Sequence, residues 1–166
     1  MKPFRFCPAC GSHLEKPDAE GGSSCPQCKR SWYRNAAPTA GCAVLHEEKV
    51  LVVRRARDPE KGRFDLPGGF LKFREDPVAA VKREVQEELG IEVEVSEADF
   101  VQAVPHVYDE DEWVLALGFL ARFVSGVPEP NDDVAEARWI SEDEVDEIDF
   151  AWPHDHDLVR KAFEHG

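Results

Sequence analysis

Three glutamates, Glu84, Glu87 and Glu88, stand at i, i+3 and i+4 in the stretch "REVQEELG", so a helix there brings their carboxylates to one face. Like charges so placed repel by roughly 0.2–0.5 kcal/mol per pair. A hard divalent cation such as Mg²⁺ or Mn²⁺ turns that repulsion into attraction, and it takes phosphate oxygens as further ligands. Taken alone, the same residues also fit a solvated acidic face. Just upstream, "LPGG" offers a tight turn in which Gly68 and Gly69 allow close backbone approach, so a carbonyl there could join a metal shell. Arg83, four residues before Glu87, can orient it by an ion pair.

A second set of ligands lies at the N-terminal end. Cys7 and Cys10 form one CxxC, Cys25 and Cys28 another, and fourteen residues separate the pairs. Two such knuckles supply the four thiolates of a closed, tetrahedral zinc site with no open position for chemistry. Cys42, in the apolar run "AGCAVLH", reads as a buried small hydrophobe.

The elements that must hold these residues follow from composition. At 166 residues the chain suits one compact domain with a small appendage. With 42% hydrophobic and 33% charged residues it reads as a globular protein. No apolar run reaches the roughly 18–20 residues of a membrane span, and the start of the chain lacks the apolar core of a signal peptide, so the expected location is cytoplasmic, with no membrane partner. The net charge of −14 argues against bulk nucleic-acid binding. A phosphate-bearing ligand therefore needs local cations, from a bound metal or from the cluster Arg54, Arg55, Arg57, Lys61 and Arg63 in "RRARDPEKGR".

Residues 1–34 are rich in Gly, Ser and Pro and have almost no core of their own, so metal would have to fold them, with Phe6, Trp32 and Tyr33 as the packing surface. Asn35 to Pro38 reads as a linker, which divides the chain into a ribbon over 1–36 and a main domain over 37–166. Beyond it, "GCAVLH" and "VLVVRR" predict a hairpin, and "IEVEV", "FVQAVPHVY", "EWVLALGFLARFV" and "ARWI" predict further strands. A helix is expected from Asp76 as N-cap and Pro77 to Gly90, with Val78, Val81, Val85 and Leu89 as its buried stripe and the glutamates at the flank of that face. Two more are expected around "SEDEVDEI", capped by Ser141, and "DHDLVRKAFEH". The fold class is α/β (α+β).

Gly69, five residues, Glu75, seven residues, then Arg83 to Ile91 as "REVQEELGI" meets every fixed position of the Nudix box, so the chain from about 40 to 150 resembles the Nudix hydrolase family. The four-cysteine segment resembles the zinc ribbon of NADH pyrophosphatase-type members. The resemblance implies a Nudix α/β/α sandwich that cleaves the diphosphate of a nucleoside diphosphate linked to another moiety, with Mg²⁺ or Mn²⁺ required. Carried over, Glu84, Glu87, Glu88 and the Gly68 carbonyl hold the catalytic metal, and Arg83 and Glu75 fix the loop and helix. Glu87 or Glu88 is the base. Asp133, Glu136 and the acidic turn "DEDE" compete to supply a further carboxylate.

The substrate is less defined. The Ser-Gln-Pro-Trp-Pro-Phe-Pro-like string of NADH pyrophosphatases is absent, and "VPHVYDED" stands in its place. Pro105 falls fourteen residues after Ile91, near the spacing of ADP-ribose hydrolases, while "RRARDPEKGRF" does not meet the coenzyme A signature. A dinucleotide such as NADH or FAD, ADP-ribose or a nucleotide sugar fits. Arg54, Arg55, Phe70, Tyr108, Asp133 and Glu136 are the candidate substrate contacts. Phe64, Phe73 and Trp113 are further stacking candidates, His106 reads as structural, and His154, His156 and His165 read as exposed. Related pyrophosphatases imply a homodimer. The competing readings are a nucleotide sensor without turnover and a hydrolase that removes RNA caps.

Overall fold

A computed structural model of the chain describes residues 4–110 and 112–165, so Asp111 of the "DEDE" turn lies outside the described residues. In chain order the elements are β1 (Gly22–Ser24), β2 (Ser31–Tyr33), β3 (Ala37–His46), β4 (Lys49–Arg55), β5 (Phe64–Asp65), β6 (Gly68–Phe70), α1 (Pro77–Leu89), β7 (Glu92–Glu94), β8 (Phe100–Asp109), β9 (Glu112–Ser125), β10 (Val134–Ile140) and α2 (Pro153–His165).

Period-two alternation along β3 and β4 builds two cores back to back. Cys42, Val44, Leu51 and Val53 face one side, where Ala80, Val81, Val85 and Leu89 of α1 cover them. Ala43, Val50 and Val52 face the other, under Leu158, Val159 and Ala162 of α2 with Ile140 and Val145. Burying each Val, Leu or Ile among them is worth about 1.5–3 kcal/mol, which clamps both helices to the sheet. The result is the expected α/β/α sandwich.

The sheet runs β10-β4-β3-β9-β7, with β5 paired to β4, β6 to β3 and β8 to β9. Its centre is a parallel pair, β3 with β9, from Ala37 opposite Val114 to Leu45 opposite Arg122. The long β9 shares its other edge between β8 and β7. Helix α1 starts as expected: Asp76 accepts the Ala79 N–H, Pro77 occupies the first turn, and Gly90 ends the helix in a left-handed conformation (φ 66°). Among the described residues no helix is long and apolar enough to cross a membrane.

Four expectations need correction. The linker Asn35–Pro38 is cut short, because β9 captures Ala37 and Pro38 into β3, where Pro38 offers its carbonyl to the Leu71 N–H (3.1 Å). Part of "LPGG" is a strand rather than a free turn, since Gly68–Phe70 pairs with Thr39–Gly41. "SEDEVDEI" forms a 3-10 helix over Glu142–Glu147, locked by a reciprocal Ser141–Glu144 cap. Its apolar anchors Val145 and Ile148 lie three residues apart, a spacing that suits the tighter helix. Finally, α2 begins at Pro153, two residues earlier than expected.

In the N-terminal segment β1 and β2 pair antiparallel, and each CxxC closes a turn through a backbone bond, Gly11 N–H to Cys7 and Lys29 N–H to Cys25. Of the three aromatics expected to pack this segment, Phe6 (52% exposed) and Tyr33 (55%) stand in solvent, and Trp32 alone is half-buried.

Candidate active site

Helix α1 and strand β6 bring the glutamates against a glycine corner. A methyl group at Gly68 would sit 2.5 Å from Gly41 Cα and 2.6 Å from the Ala40 carbonyl oxygen. At Gly69 it would sit 2.5 Å from Glu84 Oε1. Only glycine lets the loop pass between β3 and the helix so closely.

Arg83 organises this corner. Its guanidinium donates to both oxygens of Glu75 (2.7 and 2.8 Å), to Glu87 Oε2 (3.0 Å) and to the Phe70 carbonyl (3.2 Å), and it pairs with Glu84 Oε1 at 2.6 Å. Arg83 holds Glu75 down to a pKa of about 2, with a further contribution from the Lys72 N–H. Glu87 is half in solvent, between Lys72 Nζ (3.2 Å) and Arg83, and both lower its pKa. Burial raises Glu84 despite the guanidinium beside it.

Glu88 differs from the other two. It is 6% exposed, receives one N–H bond from Gly68 (3.2 Å), and is pushed well above the usual carboxylate range by burial, then by the charges of Asp133 and Glu84. No cation among the described residues pairs with it. A site that buries a carboxylate beside two others and supplies one amide donor has the chemistry of a hard divalent-ion site. Glu84, Glu88, Asp133 and the backbone at Gly68 carry the oxygens that could hold such an ion. The glutamates are not drawn together as the cysteines are: among the described residues only Cys7, Cys10, Cys25 and Cys28 place three or more ligand atoms all within 4.8 Å.

Those cysteines fit a metal. Cys7 and Cys28 Sγ lie 3.6 Å apart, Cys10 and Cys25 Sγ 3.5 Å, close to the ~3.8 Å that a tetrahedral ion with metal–sulfur bonds of about 2.3 Å requires.

Glu88 lines a cleft of about 140 Å³ together with Gly68, Gly69, Phe70, Asp133, Arg55 and Tyr108. Phe70 meets Tyr108 edge-on at 5.5 Å, and Tyr108 hydroxyl accepts from Arg55 at 3.2 Å. Arg54 and Glu136 are not part of the lining; they pair with each other (2.7 Å), and Arg54 stacks over Phe64 at 4.1 Å. Phe64 is core, Phe73 is 91% exposed, and neither Trp113 nor Asp109, Glu110 and Glu112 of the acidic turn reaches the cleft.

The four arginines of the basic cluster are spent on carboxylates: Arg54 on Glu136, Arg55 on Asp65 (2.5 Å), Arg57 on Asp132, Arg63 on Glu60 and Asp149. Of its members only Arg55 lines the cleft, already neutralised by Asp65. A divalent ion held by the carboxylates would supply positive charge for a phosphate there.

Sequence reasoning missed the other wall. Asp65, Gln102, Trp152 and Asp155 line the cleft, with His106 and His154. His154 was expected in solvent, but its side chain is 12% exposed, tilted against His106 at 4.5 Å between ring centres, and burial followed by the neighbouring His106 lowers its pKa to about 4. The available signal was Pro153, a first-turn residue that draws Trp152, His154 and Asp155 to the head of α2.

The NUDIX domain family model matches residues 36–162. A protein of Pseudomonas aeruginosa named NAD-capped RNA hydrolase NudC is 34% identical over 140 residues, 84% of this chain and 48% of that protein, so the chain spans about half its length. A MutT-like protein of Streptomyces ambofaciens is 34% identical over 122 residues, 74% of each chain. The crystal structure of a NUDIX hydrolase from Nitrosomonas europaea superposes with a TM-score of 0.82 at 28% identity, covering 98% of this chain and 92% of that one. A sandwich with its glycine corner, its arginine-held glutamates and a match running through the whole sheet into the last helix places this chain in the Nudix hydrolase family.

Proposed function

We propose that the chain hydrolyses the diphosphate of a nucleoside diphosphate linked to another moiety, a dinucleotide such as NADH or FAD, ADP-ribose or a nucleotide sugar, using Mg²⁺ or Mn²⁺. The observation that carries this is Glu88, buried beside Asp133 and Glu84 in the wall of an aromatic cleft without a cationic partner. Glu84, Glu88 and the Gly68 carbonyl hold the metal, with Glu87 at the rim and Asp133 as the further carboxylate. When bound, the ion acidifies water and neutralises phosphate charge. Glu88, which lines the cleft, orients the attacking water and takes its proton on a carboxylate oxygen. Arg83 and Glu75 keep α1 and the glycine loop in register and touch no substrate. Phe70 and Tyr108 exclude bulk water from the cleft. Zinc in the four-cysteine site folds residues 1–36 as a ribbon beside the 37–166 hydrolase domain, in a cytoplasmic protein able to pair as a homodimer.

A panel of NADH, FAD, ADP-ribose and nucleoside triphosphates, each with Mg²⁺ and with Mn²⁺, tests the reading: release of a mononucleotide supports it, and inactivity throughout refutes it. A second reading, removal of a nucleotide cap from RNA, is favoured by the name of the Pseudomonas relative. Capped RNA cleaved in preference to the free dinucleotide would select it.

A further inference from the structure

We propose that the four-cysteine ribbon is a docking surface for single-stranded nucleic acid, with Phe4 and Phe6 offering ring faces to the bases and Arg5, Lys29, Arg30 and Arg34 offering charge to the phosphates. This surface lies outside the cleft, and the proposal does not depend on the diphosphatase reading.

The net charge of −14 hides a split. Residues 1–36 hold six Lys and Arg against three Asp and Glu, while residues 37–166 hold 14 against 31. A zinc ion on four thiolates takes back two of the ribbon's charges and leaves it on the positive side. The cations of the two parts are also used differently. In the main domain Arg54, Arg55, Arg57 and Arg63 are each paired with a carboxylate. In the ribbon Arg5, Lys16, Lys29 and Arg30 are exposed, and among the described residues none of the four forms an ion pair.

Local geometry gathers the rings beside these charges. Cys7 N–H donates to the Ser12 carbonyl (2.8 Å) and Leu14 N–H to the Arg5 carbonyl (3.1 Å), so residues 5–7 run as one arm of a small hairpin. Phe6 meets His13 across it, 4.4 Å between ring centres, and the Arg34 guanidinium lies 5.9 Å from the centre of the Phe4 ring. The contact between Cys7 and Cys28 Sγ, 3.6 Å, brings the second knuckle, with Lys29 and Arg30, against the first. Phe4 is 40% exposed, and Phe6 more so. Among the described residues no hydrogen bond or ion pair joins residues 4–33 to the sheet, and neither core includes them, so these rings are not held back for packing there. Large rings left in water beside unpaired cations mark an interaction surface.

The combination discriminates among polyanions. An acidic peptide uses the charges and ignores the rings, and a duplex keeps its base faces stacked inside. A single strand offers both a phosphate chain and open base faces. The acidic main domain repels that strand, which confines it to the ribbon.

The test is fluorescence anisotropy of the full zinc-loaded chain in Mg²⁺-free buffer, with labelled oligouridylate and oligothymidylate of about ten nucleotides, the duplexes they form with their complements, and polyglutamate. These strands carry no diphosphate, so cleavage does not interfere. Either strand should bind at least about fivefold tighter than its duplex, and more weakly as salt rises from about 50 to 200 mM; the tighter of the two names RNA or DNA as the source. Phe6→Ala should weaken binding about fivefold or more at unchanged zinc content. Lys29→Asn, tolerated at a φ of 61°, combined with Arg30→Gln should flatten the log–log salt dependence by about 1.4, the loss of two phosphate contacts, and carries the test if Phe6→Ala loses zinc. No saturable binding of either strand at ~50 mM salt, polyglutamate or duplex bound as tightly as a strand, or both variants binding like the native chain overturns the proposal. Neither variant touches the cleft, so turnover of a diphosphate substrate should stay native in both.

Discussion

Replacing Arg83 with methionine keeps the apolar stem and removes the charge from the centre of the glutamate corner. The guanidinium is 17% exposed and neutralises Glu75 and Glu84, each 14% exposed. Stripping one partner from a largely buried ion pair costs about 3–5 kcal/mol, because the abandoned carboxylates stay desolvated. Glu75 retains the Lys72 N–H at 2.8 Å and Glu87 retains Lys72 Nζ, which trims the expectation to about 3–4 kcal/mol. For a chain of this length that is a fall in Tm of about 6–16 °C, measured by calorimetry in Mg²⁺-free buffer. Because the two bonds to Glu75 are bidentate, a cycle with Glu75→Gln should give a coupling of at least ~1.5 kcal/mol. Added Mg²⁺ should then raise the Tm of Arg83→Met more than that of the native chain, since a cation at Glu84 replaces the lost countercharge. A Tm within about 2 °C of native, or an additive cycle, would refute the view that Arg83 holds the corner together.

Glu88→Gln should lower turnover by about 10²–10³-fold while leaving the metal-free protein at least as stable as native, because it removes a buried charge repelled by Asp133 and Glu84; a metal-free melt far below native would contradict this. Cys25→Ser should abolish stoichiometric zinc, read by elemental analysis, and unfold β1 and β2 while the sheet remains; unchanged zinc content would sink the closed four-cysteine site. Stability should also fall with acid through His154. The unfolded chain gains a proton there near its ordinary pKa of about 6.5, whereas the folded chain resists until about 4, so this contribution is complete above pH ~6.5 and lost as pH falls towards 4. His154→Gln should flatten that part of the urea midpoint measured between pH 7.5 and 5; an identical profile would show that the ring is not kept neutral by the fold.

Long periodic segments were legible because each had one buried face. The stripe Val81, Val85 and Leu89, the cap Asp76 and the stop Gly90 fix α1 by local chemistry, and the glutamates come with it. The β3–β4 hairpin likewise follows from alternation. What escaped depends on contacts distant in sequence. Nothing local makes Ala37–Pro38 or Gly68–Phe70 strands; β9 and β3 recruit them across the fold. Asp65 and Asp155 lie ninety residues apart and become neighbours only when α2 closes over the sheet, so neither stood out in the sequence as a cleft residue. His154 misled for the same reason: a histidine among aspartates reads as solvated until His106 packs against it.

The two cores share the sheet but not each other, so α1 and α2 are separate leaves fastened to opposite sides of one board. The cleft is where residues of both leaves, Glu88 and Asp155, line a common space. An occupant running between them would stitch the leaves together at that edge, and the proposed cleavage of its diphosphate would sever the stitch. Turnover would thus loosen what binding had fastened, giving each half-product its own way out.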